Sequence, residues 1–406
     1  MRQTIPVQEC PGGVTAARGF VAGGRYCGIR KMKKDLAIVA SEVPAVTAAV
    51  FTLNKTQAAP ILVDKIQLSR SETCSAVVIN SGNANACTGE RGLNDAWEMV
   101  RTTAAAMALP EEQVMISSTG VIGQYLPMDR MIVGIPQLAA QLSASGNHDA
   151  AEAIMTTDTH SKETAVQFSL GESMVTIGGM AKGSGMIAPN MATILAFVTT
   201  DASIRRSLLQ KALARANKRS FNRITVDGDM STNDMALVLA NGAARNKPFS
   251  ENSEEFQLFC AALEYVMIKL AKMIARDGEG ATKLIEIFVK GARNEEEAAQ
   301  AARSVANSNL VKTALHGCDA NWGRIMAAVG YSGIDMDPEL VEIRFNGLPV
   351  LNQHYSIVLD EEKAERELAK EEVLVTIDLN QGTHTARFWT CDLTKEYIHI
   401  NASYRS

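Results

Sequence analysis

The chain has 406 residues, 46% hydrophobic and 21% charged, with a formal net charge of −5. That length can bury a large core, and the balance is that of an ordinary globular protein. Net acidity without a basic block argues against nucleic acid or an anionic membrane as partner. Seven scattered cysteines, an odd number without a CxxC, and six histidines without an HExxH argue against a disulfide framework or a zinc site. No metal is therefore expected. The opening MRQTIPVQECPGG lacks the apolar core of a signal peptide, and no apolar run approaches membrane-spanning length, so a cytoplasmic location is expected.

In chain order, strand-like runs at 36–43 and 45–54 are followed by CSAVVIN at 74–80. A helix runs from near Gly92 to just before Pro110, and strands follow at 163–171 and 193–201. SIRRSLLQKALARANKRSF predicts a helix over 203–221, then MALVLANGA a strand over 235–243. The clearest helix covers 253–278, with Asn252 and Glu255 spaced as a capping box, Phe256, Phe259, Leu263, Val266, Leu270 and Ile274 on one face, and Gly278 as C-cap. LIEIFVKG (284–291) reads as a strand and 295–315 as one last helix. VEIRFNGLPVL (341–351) and VLVTIDLN (373–380) are strands, the second alternating Val373, Val375, Ile377 and Leu379 with more polar neighbours. YIHIN (397–401) alternates in the same way and predicts a strand near the end. These mixed runs point to an α+β fold with stacked, largely antiparallel sheets covered by helices, with no repeat and no linker.

One stretch, GGMAKGSGMIAPNMATILAFVTTD (178–201), places four glycines and a proline directly before an apolar β-branched run. Gly183–Ala188 fits G-x-G-x-x-A, but a dinucleotide loop needs a helix immediately after it, and TILAFVTT is strand-like. A P-loop fails because Lys182 precedes its glycine. A glycine-rich hairpin is the plainest structural account. The chemical alternative is that the chain is cut before Thr193. A threonine whose own α-amine is free carries its base with it. That amine titrates near ~7.7–8.0, against ~10.4 for lysine, so near neutrality much of it is unprotonated. A flexible approach lets the backbone bend towards its own hydroxyl.

AKGSGMIAPNMATILAFVTTDA closely resembles the self-cleavage segment of the glutamate N-acetyltransferases (ornithine acetyltransferases) of arginine biosynthesis. SGNANACTG (81–89), SSTGVIGQYLPM (117–128), IMTTDT (154–159), VDGDMSTND (226–234), ARDGEGATK (275–283), GCDANWGRIMAAVGYSG (317–333) and INASYRS (400–406) resemble that family in the same order. The resemblance implies an N-terminal-nucleophile-like fold and cleavage between Ala192 and Thr193, giving an α chain (1–192), a β chain (193–406) and an α2β2 assembly. It implies acetyl transfer from N2-acetylornithine to glutamate. Many members also take acetyl-CoA, which leaves one or two donors open here, with no further cofactor.

Carried over by position, Thr193 is the nucleophile, and Thr119 and Gly120 form the oxyanion hole. Lys182, Thr156, Glu279, Asn401 and Ser406 contact substrate, with Thr157 leaving the Thr156 register open. The family often ends in Thr where this chain has Ser406. The nearest rival is a self-processing aminopeptidase or amidase that passes its acyl group to water. A non-catalytic binding or assembly protein of the same fold is the other.

Overall fold

The computed structural model describes residues 7–188 and 194–403. Nine strands form the first sheet: β1 (Gln8–Cys10), β2 (Phe20–Arg25), β3 (Leu36–Phe51), β4 (Thr73–Asn83), β5 (Val114–Val121), β6 (Lys162–Leu170), β7 (Ser173–Lys182), β8 (Leu195–Thr200) and β9 (Met235–Ala240). Their order is β1-β6-β7-β8-β9-β3-β4-β5, with β2 also beside β3. Only β4–β5 and β8–β9 run parallel. The two runs predicted at 36–43 and 45–54 are one long strand. Its register against β4 shifts between Ala40 and Ala45, around Pro44, whose ring nitrogen has no proton for the ladder. On its other edge β3 pairs with β2 before the shift, from Leu36 to Ser41, and with β9 beyond it, from Val46 to Phe51.

That bend doubles the sheet over. Alternation along each strand then divides the side chains between two environments. Val77, Ile79 and Met115 from one layer share a buried cluster with Phe197, Met235 and Leu237 from the other. Their neighbours point outwards: Leu36, Ile38, Val78 and Ile116 pack under α1 (Ala59–Arg70), α2 (Gly89–Met107) and α3 (Met128–Ala139). The short α4 (Asn147–Ala153) closes the inner cluster beside β2. On the opposite outer face, Ile177, Ala196, Val198 and Val238 pack under α5 (Arg206–Arg219) and α6 (Glu254–Arg276). The result is a helix–sheet–sheet–helix stack, with six of its eight strand pairings antiparallel.

A second sheet contains β10 (Leu284–Ala292), β11 (Glu342–Phe345), β12 (Leu348–Asn352), β13 (Ser356–Ile357), β14 (Glu372–Asp378) and β15 (His384–Cys391), in the order β13-β12-β11-β14-β10-β15. α6 packs between the two sheets, touching β6 and β7 on one side and β10 and β15 on the other. α7 (Glu295–Asn307), α8 (Asn309–His316) and α9 (Trp322–Gly330) cover the far side of the second sheet, and α10 (Glu361–Leu368) and α11 (Lys395–Ser403) complete the helices.

Several expectations are corrected. α6 is capped by Ser253, whose hydroxyl accepts from the Phe256 amide, so the cap sits one residue beyond Asn252. Its C-cap is Asp277, and Gly278 follows as the residue beyond it. The helix predicted at 295–315 breaks at Ser308, which takes an extended conformation and caps α8 through the Val311 amide. Asn321 caps a further helix, α9, inside what reads as a turn-rich motif. YIHIN is helical: Thr394 accepts from the amides of Glu396 and Tyr397 and starts α11, none of whose side chains is fully buried. A strand there would need a buried face, and the fold offers none.

Candidate active site

The doubled sheet leaves a pocket where the two layers end. Thr119 and Gly120, at the end of β5, come from one layer, and Lys182, the last residue of β7, from the other. They meet directly, Lys182 Nζ donating to Thr119 Oγ1 at 3.2 Å. Because the ammonium donates, the threonine hydroxyl keeps its own proton free to point into the pocket. Burial pushes the Lys182 amine down from its usual value, while Asp158, Asp234 and Glu279 pull it back up in part.

Gly120 is shaped for this corner. Its φ is +129°, and it pairs with Gly82 of β4; a Cβ there would lie 2.4 Å from the Gly82 carbonyl carbon. The asparagines around it hold the backbone. Asn233 donates from Nδ2 to the carbonyls of Ala84 (2.6 Å) and Ser118 (2.8 Å). Asn80 accepts from the Ser118 hydroxyl and donates to the Asn83 carbonyl. The motifs at 81–89, 117–128 and 226–234 thus form one hydrogen-bonded frame.

The glycine-rich segment after β7 is fixed by two acids, Asp158 and Asp227. Asp158 accepts from the Gly183 amide at 2.7 Å, from the Thr156 amide at 2.9 Å and from fully buried Lys162 at 2.7 Å. Lys162 also reaches Asp277 Oδ2 at 2.5 Å. Burial works to raise the Asp158 carboxyl, but the ammonium groups of Lys162 and Lys182 outweigh it and hold it well below the usual range. Asp227 accepts from the amides of Met186 (2.6 Å) and Ile187 (2.8 Å). The Ile187 carbonyl in turn accepts from the Val226 amide at 2.8 Å. Gly185 lets Glu279 approach, since a Cβ there would stand 2.4 Å from the Glu279 carboxyl carbon.

α11 closes the pocket. Asn401 donates to Glu279 Oε2 at 2.7 Å, and the Tyr397 hydroxyl donates to Asp227 Oδ2 at 3.3 Å. Burial, and then the Asp227 charge, push the Tyr397 phenol up. Thr119, Gly120, Thr156, Thr157, Lys182, Glu279 and Asn401 therefore all line one pocket, which Ile194 and Leu195 at the start of β8 also line. Both threonines of the 156/157 pair reach it. Ala192, Thr193 and Ser406 lie outside the described residues. Asp158, Asp227, Asn233, Asp234 and Tyr397 are additions to the set read from the sequence. Burial sets apart Asp158, Asn233 and Asp234, and the hydrogen bond between them sets apart the half-buried Tyr397 and Asp227. Among the described residues, no group of three or more His, Cys, Asp or Glu could hold a metal, and no helix is long and apolar enough to cross a membrane.

A relative from Symbiobacterium thermophilum described as "Arginine biosynthesis bifunctional protein ArgJ" is 53% identical over 400 residues, 97% of this chain and 99% of the relative. One of the same description from Bacillus subtilis is 49% identical, covering 98% of each chain. The solved ornithine acetyltransferase from Mycobacterium tuberculosis in complex with ornithine is 38% identical, with a TM-score of 0.43, covering 46% of this chain and all of that one. The family model described as the ArgJ family matches residues 21–406. The chain belongs to the ArgJ family.

Proposed function

We propose that this chain is an acetyltransferase of arginine biosynthesis, moving an acetyl group from N2-acetylornithine to glutamate through an ester on Thr193. The observation that carries this reading is the convergence of Thr119, Gly120, Lys182, Glu279 and Asn401 on one pocket that the start of β8 also lines. In the reaction, Thr193 Oγ attacks the acetyl carbonyl while its α-amine takes the hydroxyl proton and hands it to the departing ornithine amine. Thr119 and Gly120 donate to the tetrahedral oxygen, each such donor being worth about 2.7–4 kcal/mol. Glutamate's amine then attacks the ester carbonyl, the bond to Thr193 Oγ breaks, and the α-amine carries the proton lost by the attacking amine back to Oγ, leaving N-acetylglutamate and the free hydroxyl. Glu279 suits the ammonium end of ornithine. The bifunctional description of the relatives favours acetyl-CoA as a second donor; no other cofactor enters.

The reading includes a cut between Ala192 and Thr193, giving chains 1–192 and 193–406, an α2β2 assembly and a cytoplasmic location. Anchoring on both flanks supports the cut. Ile187 is held through its amide and its carbonyl, and the Ile194 carbonyl accepts from the Met235 amide at 2.8 Å. Purified protein should run as two fragments, the second starting Thr-Ile-Leu-Ala, and Thr193→Ala should remain whole and inactive. Initial rates against acetylornithine and glutamate should give parallel lines, with acetyl-CoA able to replace acetylornithine. A fully active uncut chain would refute the α-amine as base, and product formed without glutamate would favour an amidase.

A further inference from the structure

Among the described residues, one carboxyl oxygen in the pocket has no partner. Asp234, immediately before β9, is 3% exposed and lines the pocket, yet no described residue donates to its Oδ2. Leaving such a group unsatisfied forfeits its hydration without replacing it. The frame around it is otherwise closely hydrogen-bonded, so an unpartnered carboxyl oxygen at this point calls for a ligand.

Its position limits what the ligand is. β8 and β9 run parallel with Leu195 opposite Met235, and the Met235 amide binds the Ile194 carbonyl. Asp234 is therefore one step ahead of the pair that opens β8. Lys182 is the cation that bears on it, but the Lys182 ammonium donates to Thr119 Oγ1 and makes no hydrogen bond to Asp234 Oδ2. Ser231 also draws the carboxyl down, while Asp227, Asp229 and Glu279 line the same pocket and add negative charge. Burial outweighs Ser231 and Lys182 and pushes the carboxyl well above its usual range. A second cation would complete the site.

We propose that Asp234 Oδ2 accepts a hydrogen bond from a primary ammonium group presented at the start of β8, and so positions that amine for acetyl transfer. This rests on the acetyl-transfer reading above. Two sources share the chemistry: the α-amine that cleavage would free on residue 193, and the amine of the amino-acid substrate. A carboxylate partner favours the ammonium form and raises its pKa, so removing it lets the amine lose its proton at lower pH.

The test uses the full chain carrying Asp234→Asn or Asp234→Glu. Cleavage is read by mass, transfer from acetylornithine to glutamate is followed across pH, and acetylation is followed with 4-nitrophenyl acetate, a donor without an amine. The Asn variant should be cut, should transfer about 10- to 100-fold more slowly, and should show its acidic limb at lower pH. The Glu variant should recover part of both. If the amine is the enzyme's own, aryl-ester acetylation slows with the same shift. If it is the substrate's, that step is unchanged and the KM for glutamate rises. Parental rate and limb in the Asn variant overturn the proposal, and so does a folded Asn variant that stays uncut. Loss of folding in both variants would make the acid structural. If only the Asn variant fails to fold, an unmoved limb in the Glu variant overturns the proposal and a moved one supports it. A parent that transfers no acetyl group would refute the proposed function instead.

Discussion

Replacing Lys162 with methionine removes a cation from the driest ion cluster near the pocket. The Lys162 side chain is fully buried, and its two partners, Asp158 at 2.7 Å and Asp277 at 2.5 Å, are 0% and 3% exposed. Exposed pairs are worth about 0–1 kcal/mol, but breaking a buried pair typically costs about 3–5 kcal/mol, because the remaining charge stays buried and unpaired. Two acids share this one lysine. Asp158 keeps the amides of Gly183 and Thr156, and Asp277 keeps that of Thr159, which limits the loss without cancelling it. We expect about 3–5 kcal/mol at neutral pH, a urea midpoint lower by roughly 1–2 M at a slope near 3 kcal/mol/M. The pH dependence follows from the direction of the Asp158 shift. In the parent its carboxyl is held low, so its contribution is complete above the usual Asp value of about 4 and is lost as pH falls through the lower folded value. In the variant burial acts unopposed by Lys162, and the acid takes up a proton at higher pH. The gap between parent and variant should therefore be widest near pH 7 and should narrow towards pH 4. An unchanged midpoint at pH 7, or a gap constant across that range, would refute the reasoning.

Gly120→Ala places a methyl 2.4 Å from the Gly82 carbonyl carbon at a φ of +129°. It should lower kcat by about 10²–10³ if it displaces one oxyanion donor, measured as transfer by cut enzyme. Deleting Asn401–Ser406 removes the Asn401–Glu279 bond. Cleavage should survive while transfer falls steeply, since positioning supplies much of the rate in such reactions; transfer at the parent rate would make the tail an ordinary terminus.

Legibility followed how local the physics is. β14 was plain because Val373, Val375 and Ile377 meet one core and their neighbours do not. Pro44 separates the runs at 36–43 and 45–54 in the sequence, and only the pairing of β3 with both β4 and β9 shows one bent strand there. YIHIN satisfies a two-residue period by accident of composition; what decides its conformation is the Thr394 cap. The motif residues gathered in the pocket were reached through resemblance, residue by residue. Asp158, Asp227 and Asp234 stood inside the same quoted motifs without notice, since an aspartate in a polar turn looks alike whether it is solvated or sealed against a lysine.

The strand order of the first sheet has a consequence for a chain cut after residue 192. β8 and β9 belong to the second piece, yet they lie between β7 and β3 of the first. β8 is laced to β7 over six residue pairs, Ile177 to Lys182, and β9 to β3 over six more, Val46 to Phe51. Separating the pieces would tear both seams and open the middle of the sheet, exposing four unpaired edges at once. Cleavage would change the covalent count while leaving the cooperative unit whole, and the two fragments would share one unfolding transition.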